Sequence, residues 1–366
     1  MRLALFAADA SENSLGRVYV LWLLARHLGW EVKTVATLGK KVWPPLANSE
    51  FGRSVHIRSD MPQRDLDALV RWADLLIGCK PRPESSGVAI KLGRRHRKPV
   101  LIDIDDPDLE VQFDNLTVRQ VIRRWIRTHR RVGYLRLRRA VHKFPVLVSN
   151  PVLQGSYGGW CIPHARADLR PVAPHTSTSP KIAFVGTVLP HKGIEDLRKA
   201  IRQVNRGEGS HVSLVVTAPP PPDAEPWEDW VGVTTIEDGL RIVRESDVVV
   251  LPSRAGGWPE AQLPAKLIDA MLAGRAICVT DVGPMRWAVG TAAKVVEAGD
   301  VEAIAGALLS FCDPRVREEF GSRARARAVE HFTLSAVAST FARAVAHASG
   351  RWDALRPAAE GAITDA

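Results

Sequence analysis

The sequence predicts an α/β protein built as two doubly wound domains, on three observations. Its 366 residues exceed what one ordinary core holds and suit two domains of typical size. Most of its strand candidates are apolar throughout rather than alternating, as in parallel sheets covered on both faces. Strand, loop and helix alternate through the first half, and the same alternation restarts after an irregular stretch rich in Pro, Ser and Thr.

In chain order, LALFAAD (3–9) is a short apolar strand, and SENSLGRVYVLWLLARHLGW then gives helical spacing closed by Gly29. EVKTVAT (31–37) is a second strand, DLDALVRWA (65–73) a helix, DLLIGCK (74–80) and KPVLIDID (98–105) further strands. A basic helical region over 116–142 precedes VLVSN (146–150). RPVAPHTSTSP has no periodicity and sets the interdomain linker at 166–180, after a first domain at 1–165. KIAFVGT (181–187) opens the second series: helix 193–204, strand VSLVVTA (212–218), helix 238–244, strand DVVVLPS (247–253), helix 264–273 and strand AICVTD (276–281). The second domain is expected to run over 181–341. Residues 342–366 are then a helix end and tail, with a last helix at about 334–348 able to pack back on the first domain.

Composition narrows the class. At 46% hydrophobic and 25% charged residues, the chain is globular rather than disordered. No apolar run reaches the roughly 18–20 residues of a membrane span, and the opening residues lack the pattern of a signal peptide, so a cytoplasmic protein is expected. Cys79, Cys161, Cys278 and Cys312 are far apart and form no CxxC pair, against a zinc site or a disulfide framework. The formal net charge of +10 is matched by ten Lys and Arg residues, with no acid, between Arg119 and Lys143. Such a cluster reads as a surface for anionic headgroups or phosphates, or as a solvated helix face.

Two loops carry the chemistry. In PAKLIDAMLAGRAICVTDVG (264–283), Pro264 suits a helix start and Gly274 its end. The amides of Ala265, Lys266 and Leu267 then face the carboxyl edge of a parallel sheet, where anions and nucleotides bind in doubly wound folds. Lys266 and Asp269 share a helix face. A carboxylate there can accept both ribose hydroxyls, or the two can form a surface ion pair. FVGTVLPHKG (184–193) is again strand, Gly186-Thr187 turn, loop and helix, headed by Lys192. A lysine at a helix head opposes the helix dipole unless an anion sits there.

Together these segments resemble the donor domain of the retaining GT-B glycosyltransferases of the glycogen-synthase-like, glycosyltransferase family 4 type. The resemblance covers 181–330 well. It extends more weakly to NSLGR (13–17), VSNPVLQGSYGG and IPHARAD in the first half. It implies a GT-B architecture, with two Rossmann-like domains facing a cleft. It also implies a nucleoside-diphosphate sugar as donor substrate, transfer with retention, no cofactor and no obligatory metal. By the same resemblance Lys192 holds the diphosphate, Asp269 stands for the ribose-binding glutamate and Gly16 lets its backbone approach the diphosphate; Arg254 is a further candidate for stabilising the charge that grows on the leaving phosphate.

Three departures stand out. Thr187 replaces the arginine that many members place on the diphosphate, and Asp269 is one methylene short of glutamate. The family's first glutamate falls on Ala261, between Glu260 and Gln262; Glu260 is the preferred candidate for the sugar, with Gln262 as alternative. Many relatives carry a histidine after the fourth N-terminal strand. Lys80 is the candidate for that face here, or a plain surface lysine. IDIDD (102–106) could suggest a metal-binding DxD, but it ends a strand far from the donor motifs, so acceptor contact or helix capping by Asp103, Asp105 and Asp106 is expected. His164 and Asp168 read as hinge contacts, and Trp230–Thr235 as the loop that meets the base. Other classes are weaker. A phosphorylase would need a cofactor lysine or phosphate cluster, an epimerase paired acids and a histidine, and a nucleic-acid binder more aromatics than Trp125 and Tyr134 within 119–143. That basic segment is instead expected to dock on anionic lipids at the inner membrane face, or on a lipid-linked or phosphate-bearing acceptor.

Overall fold

The computed structural model describes residues 1–111, 128–168, 172, 176–207 and 211–350. Among these residues, thirteen strands form two parallel sheets. The first contains β1 (Arg2–Asp9), β2 (Glu31–Leu38), β3 (Val55–Ile57), β4 (Leu75–Cys79), β5 (Val100–Ile104), β6 (Val146–Val148) and β7 (Trp160–Cys161), in the order β3-β2-β1-β4-β5-β6-β7. The second contains β8 (Lys181–Phe184), β9 (Ser213–Val216), β10 (Glu228–Trp230), β11 (Val248–Leu251), β12 (Ala276–Thr280) and β13 (Lys294–Val296), in the order β10-β9-β8-β11-β12-β13. Both sheets thus reverse direction beside their own first strand, between β1 and β4 and between β8 and β11. A doubly wound sheet opens its ligand crevice at that reversal, outside the carboxyl ends of the strands.

The apolar runs explain the central strands. Leu3 to Ala8 are all buried, and so is every residue of β4, β5, β11 and β12, because helices cover both faces of each sheet. One layer on the first sheet combines helix Leu15–His27 with helix Leu334–Ala348, whose Leu334, Val337, Phe341, Ala344 and Val345 join the core of Leu15, Leu21 and Leu24. The preceding helix, Pro314–Phe332, places Ala324, Ala328 and Phe332 in the core of the second sheet. The chain therefore crosses between the two cores a second time at Thr333.

The first crossing lies beside it. The Arg166 N–H donates to the Phe332 carbonyl at 3.1 Å, and the Leu334 N–H donates to the Arg166 carbonyl at 2.8 Å. The sheets also meet across the cleft, where buried Asn150 donates to the Ala261 carbonyl at 2.9 Å. The same amide caps helix Pro151–Tyr157 by accepting from the Val152 and Leu153 N–H groups.

Candidate active site

A cleft of about 740 Å³ runs between the carboxyl edges of the two sheets. Its second-domain wall is built by the turn after β8, the turn of Pro190–Lys192, and helix Ala265–Leu272, which follows β11. Gly186 has φ +134°, and a Cβ there would lie 1.6 Å from Lys266 Nζ. The glycine thus leaves the channel through which the lysine side chain reaches the cleft. Gly193, at φ +67°, passes so close to the end of β11 that a Cβ would meet the Pro252 carbonyl oxygen at 1.8 Å. That close approach holds Lys192 at the mouth of the strands.

Lys192 and Lys266 both line the cleft, and neither forms a salt bridge among the described residues. Burial, and after it the charge of Lys192, lower the Lys266 ammonium from its ordinary 10.5 to about 8, against the opposing attraction of Asp269. Burial also lowers Lys192, against the attraction of Asp106. Two half-buried lysines, of which Lys192 also lowers Lys266 and neither forms a salt bridge among the described residues, offer their charge to an anion in the cleft. Beside them the Leu267 N–H is already donated to the Pro264 carbonyl at 3.1 Å, and Leu267 itself is buried in the core. The amides of Ala265 and Lys266 are left as the open donors of this helix start.

The first-domain wall has charge of both signs. Arg17, one residue beyond Gly16 in helix Leu15–His27, is fully buried and grips Asp103 through Nη2 at 2.7 Å and Nε at 3.1 Å. Lys80, left-handed at φ 67° after β4, is hydrogen-bonded to Asp106 and lies 3.7 Å from Asp105 and 3.8 Å from Asp108. Arg82 pairs with Asp108 at 3.0 Å and with Glu12 at 2.8 Å. His164 Nε2 is 3.2 Å from Asp105 Oδ1. Burial pushes the Asp105 carboxyl up, but His164, Lys80 and Arg17 together outweigh it and hold the group well below the usual carboxylate range. Asp103, Asp105 and Asp106 are thus members of a buried ion network with Arg17 and Lys80.

The structure brings Gly16, Lys80, Gly186, Thr187, Lys192, Ala265, Lys266 and Asp269 to the cleft lining, with Trp230 and Val233–Ile236 at one end. Glu260 and Arg254 are outside it. Both are exposed: the Glu260 carboxylate accepts the Gly256 N–H at 2.7 Å, closing its own loop, and Arg254 makes a two-pronged pair with Asp196 at 2.7 and 2.8 Å. Gln262 does face the cleft; its Oε1 accepts from Lys192, and its Nε2 donates to Asp106 Oδ1 at 3.0 Å. His164 lines the cleft too, whereas Asp168 pairs with Arg325 at 2.8 Å. Sequence reasoning missed Arg17, the Gln262 bridge and Arg166, whose Nε donates to Asp269 Oδ1 at 2.9 Å. Only Arg17 had a local signal, sitting next to the Gly16 loop.

Residues 179–313 match the family model of Glycosyl transferases group 1. No curated protein sequence matches the chain as a relative. Among solved structures, the chain is similar to sucrose-phosphate synthase from Thermosynechococcus elongatus, at 16% identity and TM-score 0.67 over 95% of this chain and 98% of that one. It is similar to HepE from Anabaena in complex with UDP and glucose, at 15% identity and TM-score 0.70 over 94% and 99%. A glycosyltransferase from Rickettsia africae follows at 12% identity and TM-score 0.64 over 95% and 97%. The fold is that of the GT-B glycosyltransferases, and the match to the group 1 family model falls on the second sheet and its helices.

Proposed function

We propose that the protein transfers a sugar from a nucleoside-diphosphate sugar to an acceptor hydroxyl, with retention of configuration and without a resident metal or cofactor. The observation that carries this reading is the pair Lys192 and Lys266, two cations without a salt bridge among the described residues, set beside the open amides of helix Ala265–Leu272. A diphosphate meets both charge and hydrogen-bonding demand there. Asp269 then lies one turn along the helix for the ribose hydroxyls, and the Trp230–Thr235 loop meets the base.

The sugar end falls to Gln262, which faces the cleft where Glu260 does not. As the bond from the anomeric carbon to the phosphate oxygen breaks, negative charge grows on the leaving diphosphate, and Lys192, Lys266 and the helix amides stabilise it. The acceptor hydroxyl forms the new bond on the same face and passes its proton to the departing phosphate, so no strong protein base is needed.

HepE is described in complex with UDP-glucose, which makes uridine nucleotides the first donors to try. The acceptor is proposed to be lipid-linked or phosphate-bearing, brought in by docking of the basic segment 119–143 on an anionic membrane surface. Arg119, Arg123, Arg124 and Arg127 lie outside the described residues. Within helix Thr128–Val141 and just beyond it, Arg136, Arg138, Arg139 and Lys143 are exposed together with Val132 and Leu135, which supports this reading. No helix among the described residues is long and apolar enough to cross a membrane.

The test is calorimetric titration with UDP-, GDP- and ADP-linked sugars. Wild type is expected to bind one set, and Lys192→Ala and Asp269→Ala to weaken it at least tenfold, about 1.4 kcal/mol. If no nucleotide bound wild type, or the variants bound as well, the donor site would be misassigned.

A further inference from the structure

The geometry points to Arg166 as a positioning residue that ties recognition of the donor's ribose to the hinge between the two sheets. The inference rests on the donor-site reading above and adds a residue from outside both donor loops.

Arg166 is held by its backbone at the only place where both crossings of the chain among the described residues touch. Its N–H and carbonyl bond Phe332 and Leu334, and it forms a parallel bridge with Thr333. Thr333 separates a helix packed in the second core from one packed in the first, and its hydroxyl caps the latter by accepting the Ala336 N–H at 3.2 Å. Both crossings are tied to each other here, so a rotation that opened the Asn150–Ala261 contact across the cleft would turn about this point.

The side chain then leaves the pivot and enters the cleft. Its Nε donates to Asp269 Oδ1 at 2.9 Å, and its Nη1 donates to the Ala165 carbonyl at 3.2 Å. Both members of the ion pair are largely buried, with side chains 15% and 17% exposed. The bond engages one carboxylate oxygen and leaves Oδ2 for a ligand. A single aspartate is short for bridging two adjacent hydroxyls; an arginine fixed by the backbone on its far side sets the plane in which the free oxygen points. Because the arginine stands on the pivot, a ribose drawing on Asp269 acts on the hinge through one hydrogen bond, and the hinge acts on the ribose by the same coupling.

The test compares a ligand with a ribose to one without. UDP, GDP and ADP on one side, and inorganic pyrophosphate on the other, are titrated into the full chain, into Arg166→Gln and into Arg166→Lys. Nucleotide-induced compaction is followed in parallel by small-angle X-ray scattering. The expected result is about a tenfold loss of nucleotide affinity in Arg166→Gln, with pyrophosphate affinity unchanged, compaction by the nucleotide lost, and partial recovery in Arg166→Lys. An equal loss for both ligands would show general damage to the cleft and overturn the positioning role, as would nucleotide affinity and compaction equal to wild type. If wild type binds pyrophosphate but no nucleotide, or neither ligand, the donor-site reading fails first and this inference with it.

Discussion

Replacing Lys266 with methionine should make the protein more stable and less able to bind its donor, and the size of the first effect follows from the site. The ammonium is pushed by burial, then by Lys192, from 10.5 to about 8. A fall of that size corresponds to about 3 kcal/mol held against the charged form in the folded chain. At pH 7, below both values, the lysine is protonated folded and unfolded, so the whole cost is present. Between pH 8 and 10.5 the folded chain gives up the proton first, the unfolded chain holds more protons, and stability rises with pH. Above that window the cost is gone. Methionine keeps the length of the side chain along Gly186 and removes the charge. Lys266→Met should therefore unfold at a higher urea concentration than wild type at pH 7, by up to about 3 kcal/mol, with the advantage shrinking steadily to pH 10. Donor affinity should fall tenfold or more, and wild type should take up a proton on binding nucleotide near pH 8.5, measured by calorimetry in buffers of different ionisation enthalpy. A variant no more stable at pH 7, or an advantage that persists unchanged at pH 10, would refute the claim that Lys266 is kept for an absent anion at the expense of stability.

Two other substitutions test the same walls. Gly186→Ala should displace Lys266, since the new methyl would lie 1.6 Å from its Nζ and 2.6 Å from its Cε; nucleotide affinity should drop about tenfold, with a backbone strain near 1–3 kcal/mol at this φ, and unchanged affinity would mean the lysine does not use this channel. Gln262→Ala should lower turnover about a hundredfold by removing the contacts to Lys192 and Asp106, while Glu260→Ala loses only a loop hydrogen bond and should leave turnover within about twofold; the reverse order in a steady-state assay would return the sugar role to Glu260.

What the sequence made legible follows from where its information lies. The inner strands read as apolar runs because both faces are covered. The strands that escaped notice, β3, β7, β10 and β13, are the four sheet edges, each of two or three residues, too short to show a period and paired on one side only. In the site, Gly186, Lys192, Lys266 and Asp269 were legible because each works from its own loop or helix turn. Arg166 was not, since it sits in a stretch without periodicity and its partners, Phe332, Leu334 and Asp269, are more than a hundred positions away. Spacing could not rank Gln262 against Glu260, since each lies one position from Ala261, and the glutamate was preferred. The direction of the two side chains is decided by the turn of Trp258–Ala261, where Glu260 caps Gly256.

The charge of the two walls explains why a glutamine suits that position. Among the described residues of the first-domain wall, Arg17 is paired with Asp103, Lys80 with Asp106, with Asp105 and Asp108 close by, and Arg82 with Asp108 and Glu12. Taking one of them for a ligand would strand a buried carboxylate, at several kcal/mol. On the proposed donor reading, an incoming diphosphate would go to Lys192 and Lys266 on the opposite wall, neither of which forms a salt bridge among the described residues. The residue spanning the walls must accept from Lys192 on one side and donate to Asp106 on the other. An amide does both at once. An ionised glutamate could accept from Lys192, but it would set a second negative charge against Asp106 and have no proton to offer. Where the family pattern uses a carboxylate near this place, this chain has an acid waiting across the cleft, and a neutral bridge is what lets the two domains meet there.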